Sequence, residues 1–267
     1  MSSLSNPASN LLLCASDGAP CRVIHAAGAL PLLLLCDHAS NRIPARLNNL
    51  GLTAGELAQH FAVDIGAERV TEILATQLGV AAVLGNFSRL VVDCNRDPSH
   101  PQAMTPHEDG TIIPGNQDIS AAERQARLDE IFHPFHTAVA EQITQLEQKF
   151  GSVMVVGVHS FTPQYRHMAA PRPWQIGILW HRDISSGRQL IDYLRHTTAY
   201  TVGDNQPYTL VPENGQTVTY TLEHHAETPG RRCFQVEIRQ DEIGDESGCV
   251  AYATLLAQYF IEALKQT

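Results

Sequence analysis

Leu30-Pro31-Leu32-Leu33-Leu34-Leu35-Cys36 is apolar throughout rather than alternating. Such a run predicts a strand covered on both faces, the arrangement of a largely parallel sheet flanked by helices. Working outward, strands are expected at Val80–Leu84, Ser88–Val92, Val153–Val158, Ile176–Trp180 and Phe234–Ile238. Amphipathic helices are expected between them. Glu56–Leu78 carries Leu57, Phe61, Ile65, Ile73, Leu74 and Leu78 at helical spacing. Ser120, with Glu123 three residues on, is a capping-box start for a helix reaching about Lys149. Further helices are predicted over 185–197 and 250–264. Thr105–Asn116 has loop composition, and Gly203–Tyr208 is turn-like. Alternating strands and helices predict a three-layer α/β sandwich with a mixed, largely parallel central sheet. No repeat or linker divides the chain, so one domain is expected over residues 1–267, with residues 1–19 a loose lead-in.

The 267 residues contain 43% hydrophobic residues, ample for a sizeable core. A formal charge of −10 opposes binding to nucleic acid or an anionic membrane over most of the surface. The six cysteines, Cys14, Cys21, Cys36, Cys94, Cys233 and Cys249, include no CxxC pair and suggest neither a disulfide scaffold nor a zinc-thiolate site. The Leu11-Leu12-Leu13 run lacks a basic flank and is too short for a signal peptide, and no stretch is long enough to span a bilayer. A cytoplasmic location is the expectation.

Chemistry-bearing groups cluster at the predicted strand ends. His38 follows the first strand in Cys36-Asp37-His38-Ala39-Ser40-Asn41, and His159 closes another in Gly157-Val158-His159-Ser160. Each imidazole is a metal ligand in one reading and a hydrogen-bond partner of loop backbone in the other; the pair favours a metal. A catalytic zinc needs three protein ligands, and the helix-borne HExxH pair is absent. Asn41 offers a neutral amide, a poor ligand. Asp64, three residues after Phe61 on the predicted helix, offers a carboxylate that either faces inward or lies on the helix surface. Asn95 and Arg96 follow Leu90-Val91-Val92-Asp93-Cys94, where a guanidinium can grip a substrate carboxylate or polarise a carbonyl. Asp93 is expected to fix Arg96. Glu237, set in Phe234-Gln235-Val236-Glu237-Ile238-Arg239, is either a general base or a structural partner of Arg239. His133 and His136 read as part of a helix face, and His224 and His225 as a solvated pair. No GxSxG elbow or phosphate-cradling loop is present.

Asp37-His38-Ala39-Ser40-Asn41-Arg42-Ile43-Pro44, Val63-Asp64-Ile65-Gly66-Ala67, Val92-Asp93-Cys94-Asn95-Arg96, Val158-His159-Ser160, Asp204-Asn205-Gln206-Pro207-Tyr208 and Val236-Glu237-Ile238-Arg239-Gln240-Asp241 occur in an order that resembles the N-formylglutamate amidohydrolase family. That family is related in fold to zinc carboxypeptidases (phosphorylase/hydrolase-like) and to the aspartoacylase and succinylglutamate desuccinylase group. The resemblance implies a Zn²⁺-dependent hydrolase that converts N-formyl-L-glutamate, a small acidic N-acyl amino acid, to formate and L-glutamate in histidine breakdown. It implies His38 and His159 as metal ligands, Asn95 and Arg96 as substrate binders and Glu237 as general base. Arg96 would also stabilise the oxyanion, and Arg239 is the other local cation for an acidic substrate. The sequence departs from the carboxypeptidase-like pattern at Asn41, where that pattern has Glu, which leaves Asp64 or Asn41 as third ligand. Hydrolysis of another N-acyl or peptide substrate, or ligand binding without catalysis, remain the alternatives.

Overall fold

Leu32–Cys36 (β2) is buried along its whole length, and the reason is its position inside a seven-stranded sheet, with a strand on either side. The computed structural model describes residues 11–25, 30–210 and 219–264. The remaining sheet strands are Cys21–Ile24 (β1), Ala81–Gly85 (β3), Met154–Phe161 (β6), Ile176–Leu179 (β7), Val202–Asp204 (β8) and Arg232–Arg239 (β9). His107–Glu108 (β4) and Thr111–Ile112 (β5) form a separate small hairpin. The helices are Ala54–Leu57 (α1), Ala67–Leu78 (α2), Ala121–Arg127 (α3), His133–Phe150 (α4), Ile184–Thr197 (α5), Tyr220–Leu222 (α6) and Glu246–Leu264 (α7).

The strand order is β1-β3-β2-β6-β9-β7-β8. The central four, β3, β2, β6 and β9, run parallel; β1 is antiparallel to β3, and β7 is antiparallel to β9 but parallel to β8. Leu32, Leu34, Val156 and Val236 face one core with α2, α5 and α7. Leu33, Leu35, Val155 and Cys233 face a second core with α4. This is the expected three-layer sandwich with a mixed, largely parallel sheet. Parallel register sets His159 beside Glu237, on the face shared with Val155 and Cys233. No helix among the described residues is long and apolar enough to cross a membrane.

The structure corrects several local expectations. The helix expected over Glu56–Leu78 is two helices, α1 and α2, separated by a bend. Gly66 at the start of α2 has φ +81, and a Cβ there would lie 2.3 Å from the Ile243 carbonyl oxygen, so the chain turns where only glycine fits. Asp64 therefore sits on the bend, not on a helix face, and its N–H donates to the His38 carbonyl at 3.1 Å. The expected strand Ser88–Val92 is a buried turn, since an apolar run alone does not separate a strand from other buried backbone. The short strands β1 and β8 were not expected, and the 105–116 loop contains the β4–β5 hairpin. A π-helical turn over Leu128–Phe132 interrupts the helix expected from Ser120 to Lys149. Of the lead-in, residues 1–10 lie outside the described residues. Residues 11–19 are tied down: Leu12 is buried, the N–H groups of Leu12 and Leu13 donate to the Glu130 carboxylate, and Asp17 accepts from Ala45 N–H.

What replaces a neighbouring strand along 88–92 is a pair of buried side chains. Arg127, fully buried, donates from Nη1 to the Val91 carbonyl (3.0 Å) and to Asn116 Oδ1 (2.7 Å). Its Nη2 reaches the Gly115 carbonyl and Glu123 Oε1. Asn116 Nδ2 donates to the Leu90 and Thr105 carbonyls. Arg127→Ala leaves the Val91 carbonyl and Asn116 Oδ1 buried and without this donor, and is expected to lower unfolding free energy by about 2–4 kcal/mol. Arg127→Lys should recover little, because an ammonium lacks the planar fork. Urea unfolding of the three proteins checks this; a change below about 0.5 kcal/mol, the range of an ordinary surface substitution, overturns it.

Candidate active site

Four separate elements deliver polar side chains to one edge of the sheet. The ends of β2 and β6 supply Asp37, His38 and His159, β9 supplies Glu237, and the bend before α2 supplies Asp64. The buried turn after Ser88 adds Arg89, Asp93, Asn95 and Arg96. Asp64 Oδ2 lies 2.8 Å from His159 Nδ1 and 3.4 Å from His38 Nδ1. One ligand atom from each of these three buried residues falls within 4.8 Å of the others, so the group can hold a metal ion.

The outer nitrogen of each ring is held by a further carboxylate. His38 Nε2 lies 2.7 Å from Asp93 Oδ1, and His159 Nε2 lies 3.3 Å from Asp37 Oδ2. Those acids are anchored in turn: Asp93 accepts from Arg89 Nη2 and Asn95 N–H, and Asp37 Oδ1 accepts from Thr221 Oγ1, each at 2.8 Å. Carboxylates behind imidazoles fix ring orientation and raise ligand basicity, as around metal-bound histidines. Two imidazoles and a carboxylate on distant elements, each ring backed by an acid, fit a divalent transition metal.

Burial alone would lower His159, but its hydrogen bonds to Asp37 and Asp64 outweigh this and raise it to about 10. Burial and Arg89 would likewise depress His38, yet Asp93 and Asp64 raise it. Burial would raise Asp64 and Asp93; His38 and His159 around the first, and Arg89 and His38 around the second, hold both below the usual carboxylate range. Glu237 differs. Burial pushes it up to about 7, its Oε1 accepts from Gln235 Nε2 at 2.6 Å, and its Oε2 has no hydrogen-bond partner among the described residues.

A cavity opens over these groups, with Arg89, Arg96, Asn95, Tyr165, Tyr208 and Glu108 on its walls. Of the side chains singled out by sequence, His38, Asp64, Asn95, Arg96, His159 and Glu237 all line it. Asn41 does not: it is exposed and donates from Nδ2 to the Leu57 carbonyl at 3.0 Å. Arg239 does not line it either and pairs with Asp241 and Glu242. Asp93 holds Arg89 closely, at 2.8 Å, and Arg96 only at 3.9 Å. Arg89, Asp37 and Gln235 were missed by sequence reasoning. Arg89 sat inside the supposed strand; Asp37 beside His38 and Gln235 two residues from Glu237 were legible from their spacing.

Residues 30–244 match the model of the N-formylglutamate amidohydrolase family. An N-formylglutamate deformylase of Pseudomonas putida is 25% identical over 251 residues, covering 90% of this chain and 91% of that protein. The match to an N-formylglutamate deformylase of Pseudomonas aeruginosa is 26% identical over 153 residues. It covers 53% of this chain and 56% of that protein, little more than half of its length. Among solved structures, a gene product of Agrobacterium tumefaciens has a TM-score of 0.87 at 38% identity, covering 96% of this chain and 98% of the other. An N-formylglutamate amidohydrolase from Ralstonia eutropha has a TM-score of 0.66 at 22% identity, over 93% and 98% of the two chains, and shares the fold.

Behind the site, His136 lies on the buried face of α4 and pairs with His225, which is buried rather than solvated, while His224 is exposed. His136 Nε2 donates to the Cys94 carbonyl at 3.0 Å, so its Nδ1 accepts from His225 Nε2 at 2.9 Å. Burial lowers them to about 4 and about 3. Both are neutral when folded, whereas the unfolded chain takes up protons below about 6.5. Their contribution to stability is therefore complete above pH 6.5 and is lost as pH falls towards 4. The slope is about 1.4 kcal/mol per pH unit for each histidine. Urea midpoints between pH 7 and 4.5 should show this loss, and His225→Gln should reduce the slope by about one proton; an unchanged slope in that variant overturns the assignment.

Proposed function

We propose, for a chain that belongs to the N-formylglutamate amidohydrolase family, that it is a metal-dependent hydrolase cleaving N-formyl-L-glutamate to formate and L-glutamate. The observation that carries the reading is the convergence of His38, Asp64 and His159 under a cavity that also holds Glu237, Arg89 and Arg96. His38, Asp64 and His159 would hold the metal, with Asp93 and Asp37 orienting the rings. The chemistry a divalent metal supplies when bound there, Zn²⁺ in this reading, is Lewis-acid activation of water and of a carbonyl.

The chain's own residues do the rest. Asn95 and Arg96 bind and orient the substrate's carboxylate. Arg89, held by Asp93, adds positive charge on the same wall, where oxyanion charge develops. Glu237 takes a proton from the attacking water as its oxygen bonds to the formyl carbon. It returns that proton to the nitrogen as the C–N bond breaks, so formate and the free amine leave with Glu237 regenerated. A carboxyl near neutrality suits both transfers. Arg239 has no part in this assignment. The reading places the reaction in histidine breakdown in the cytoplasm.

Glu108 favours a second substrate within the same chemistry. It lines the cavity with the arginines and favours a neutral side chain over the γ-carboxylate of glutamate. Formate release from N-formyl-L-glutamate and N-formyl-L-glutamine separates the two.

In that assay, chelation should abolish turnover and Zn²⁺ should restore it. Glu237→Gln should lower kcat by about 10²–10⁴-fold with the thermal midpoint preserved. No turnover of either substrate by the metal-loaded protein rejects the reading, and near wild-type activity of Glu237→Gln removes the proton carrier. Metal analysis is an independent check. Asp64→Asn should lose bound Zn²⁺ after dialysis against a weak chelator while Asn41→Ala retains it; the reverse pattern restores Asn41 as the third ligand.

A further inference from the structure

Gln235 and Glu237 are two residues apart on β9, so both side chains leave the sheet on the face that carries His159. Both are buried and both line the cavity. Gln235 Nε2 donates to Glu237 Oε1 at 2.6 Å, a short and direct bond. The far ends of the two groups, Gln235 Oε1 and Glu237 Oε2, have no hydrogen-bond partner among the described residues. Buried side-chain oxygens are nearly always matched, and a glutamine kept only to fill space would be matched or replaced by an apolar residue. Gly157 lies opposite Gln235 on β6.

The terminal torsion of a glutamate is broad and two-fold, so an untethered carboxylate presents either oxygen in many orientations. A donor fixed on one oxygen removes that freedom. We propose that Gln235 is a positioning residue for Glu237: its amide N–H pins Oε1 and makes Oε2 the oxygen that carries the proton. The inference rests on the assignment of Glu237 as proton carrier. It accounts for both halves of the reaction. When Oε2 takes a proton from water, Oε1 becomes the carbonyl oxygen of the acid and still accepts from Nε2. When Oε2 gives that proton to the departing nitrogen, Oε1 returns to a carboxylate oxygen with the same partner. Glu237 therefore gains and loses one proton without reorganising, which is the condition for efficient transfer at a fixed site.

The test is Gln235→Met, which keeps length and volume and removes the donor. Formate release should show kcat lower by about 10–100-fold with KM within about two-fold. Thermal midpoint and bound Zn²⁺ should match the wild type. The same substitution in the Glu237→Gln background, read in single-turnover formate release, should change the residual rate by less than about two-fold, since no proton carrier remains to be positioned. A loss from impaired folding would appear equally in both backgrounds. Wild-type kcat in Gln235→Met, an equal loss in both backgrounds, or a change confined to KM overturns the proposal. If Glu237→Gln itself retains turnover, the proton-carrier assignment falls and this inference falls with it. If Glu237→Gln is inactive and Gln235→Met is not, only the positioning role is lost.

Discussion

Asp64 sits in the sheet edge between two buried imidazoles, and the neighbouring structure is arranged around that charge. Buried ions are tolerated only when paired and hydrogen-bonded. Asp37, Asp64 and Asp93 are all buried and all held towards their ionised forms. The compensating charges are the raised imidazoles of His38 and His159 together with Arg89. A divalent cation held by His38, Asp64 and His159 would bring positive charge to the same three acids.

That arrangement explains why the surrounding fold is built as it is. Parallel strands bring His38, His159 and Glu237 to a common edge, where the ends of open α/β sheets form their crevice. The sheet alone does not supply the acids. Asp64 needs the bend at Gly66, and Asp93 needs the turn whose carbonyls are taken by Arg127 and Asn116. Thr221 and Asn95 join these pieces: Thr221 donates from Oγ1 to Asp37, and its N–H donates to Asn95 Oδ1 at 3.1 Å. A site assembled this way depends on loop side chains far from His38, Asp64 and His159 themselves.

Much of this was legible in the sequence. Unbroken apolar strands fixed the layer architecture, and a histidine or glutamate at the end of such a run stands out against its surroundings. Asp64 was identified by chemical type, although the helical spacing used to turn it inward does not exist. Periodicity failed where burial came from loops: Leu90-Val91-Val92 is as apolar as a strand, but its partners are an arginine and an asparagine from distant positions. Arg239 illustrates the opposite error. It follows Glu237 at strand spacing and looked like a second substrate cation, yet adjacent Asp241 and Glu242 occupy its guanidinium. Local acids compete for an arginine, and that competition was written in the same six residues.

Asn41 gives the departure from the carboxypeptidase-like pattern a physical meaning. In that pattern the loop after the first strand carries both an imidazole and, three residues later, a carboxylate. Here the loop carries the imidazole, and the carboxylate beside it comes from position 64. Asn41 instead donates to the Leu57 carbonyl, at the end of α1, where the chain enters the bend that leads to Asp64. The His38 carbonyl accepts from Asp64 N–H at the other end of that bend. The strand-end loop therefore grips the 58–64 segment at two points, one through position 41 and one through the backbone of position 38. A glutamate at position 41 would surrender the first grip, since a carboxylate cannot donate to the Leu57 carbonyl. The missing carboxylate is therefore consistent with an intact site, because the residue that replaces it fastens the segment supplying another.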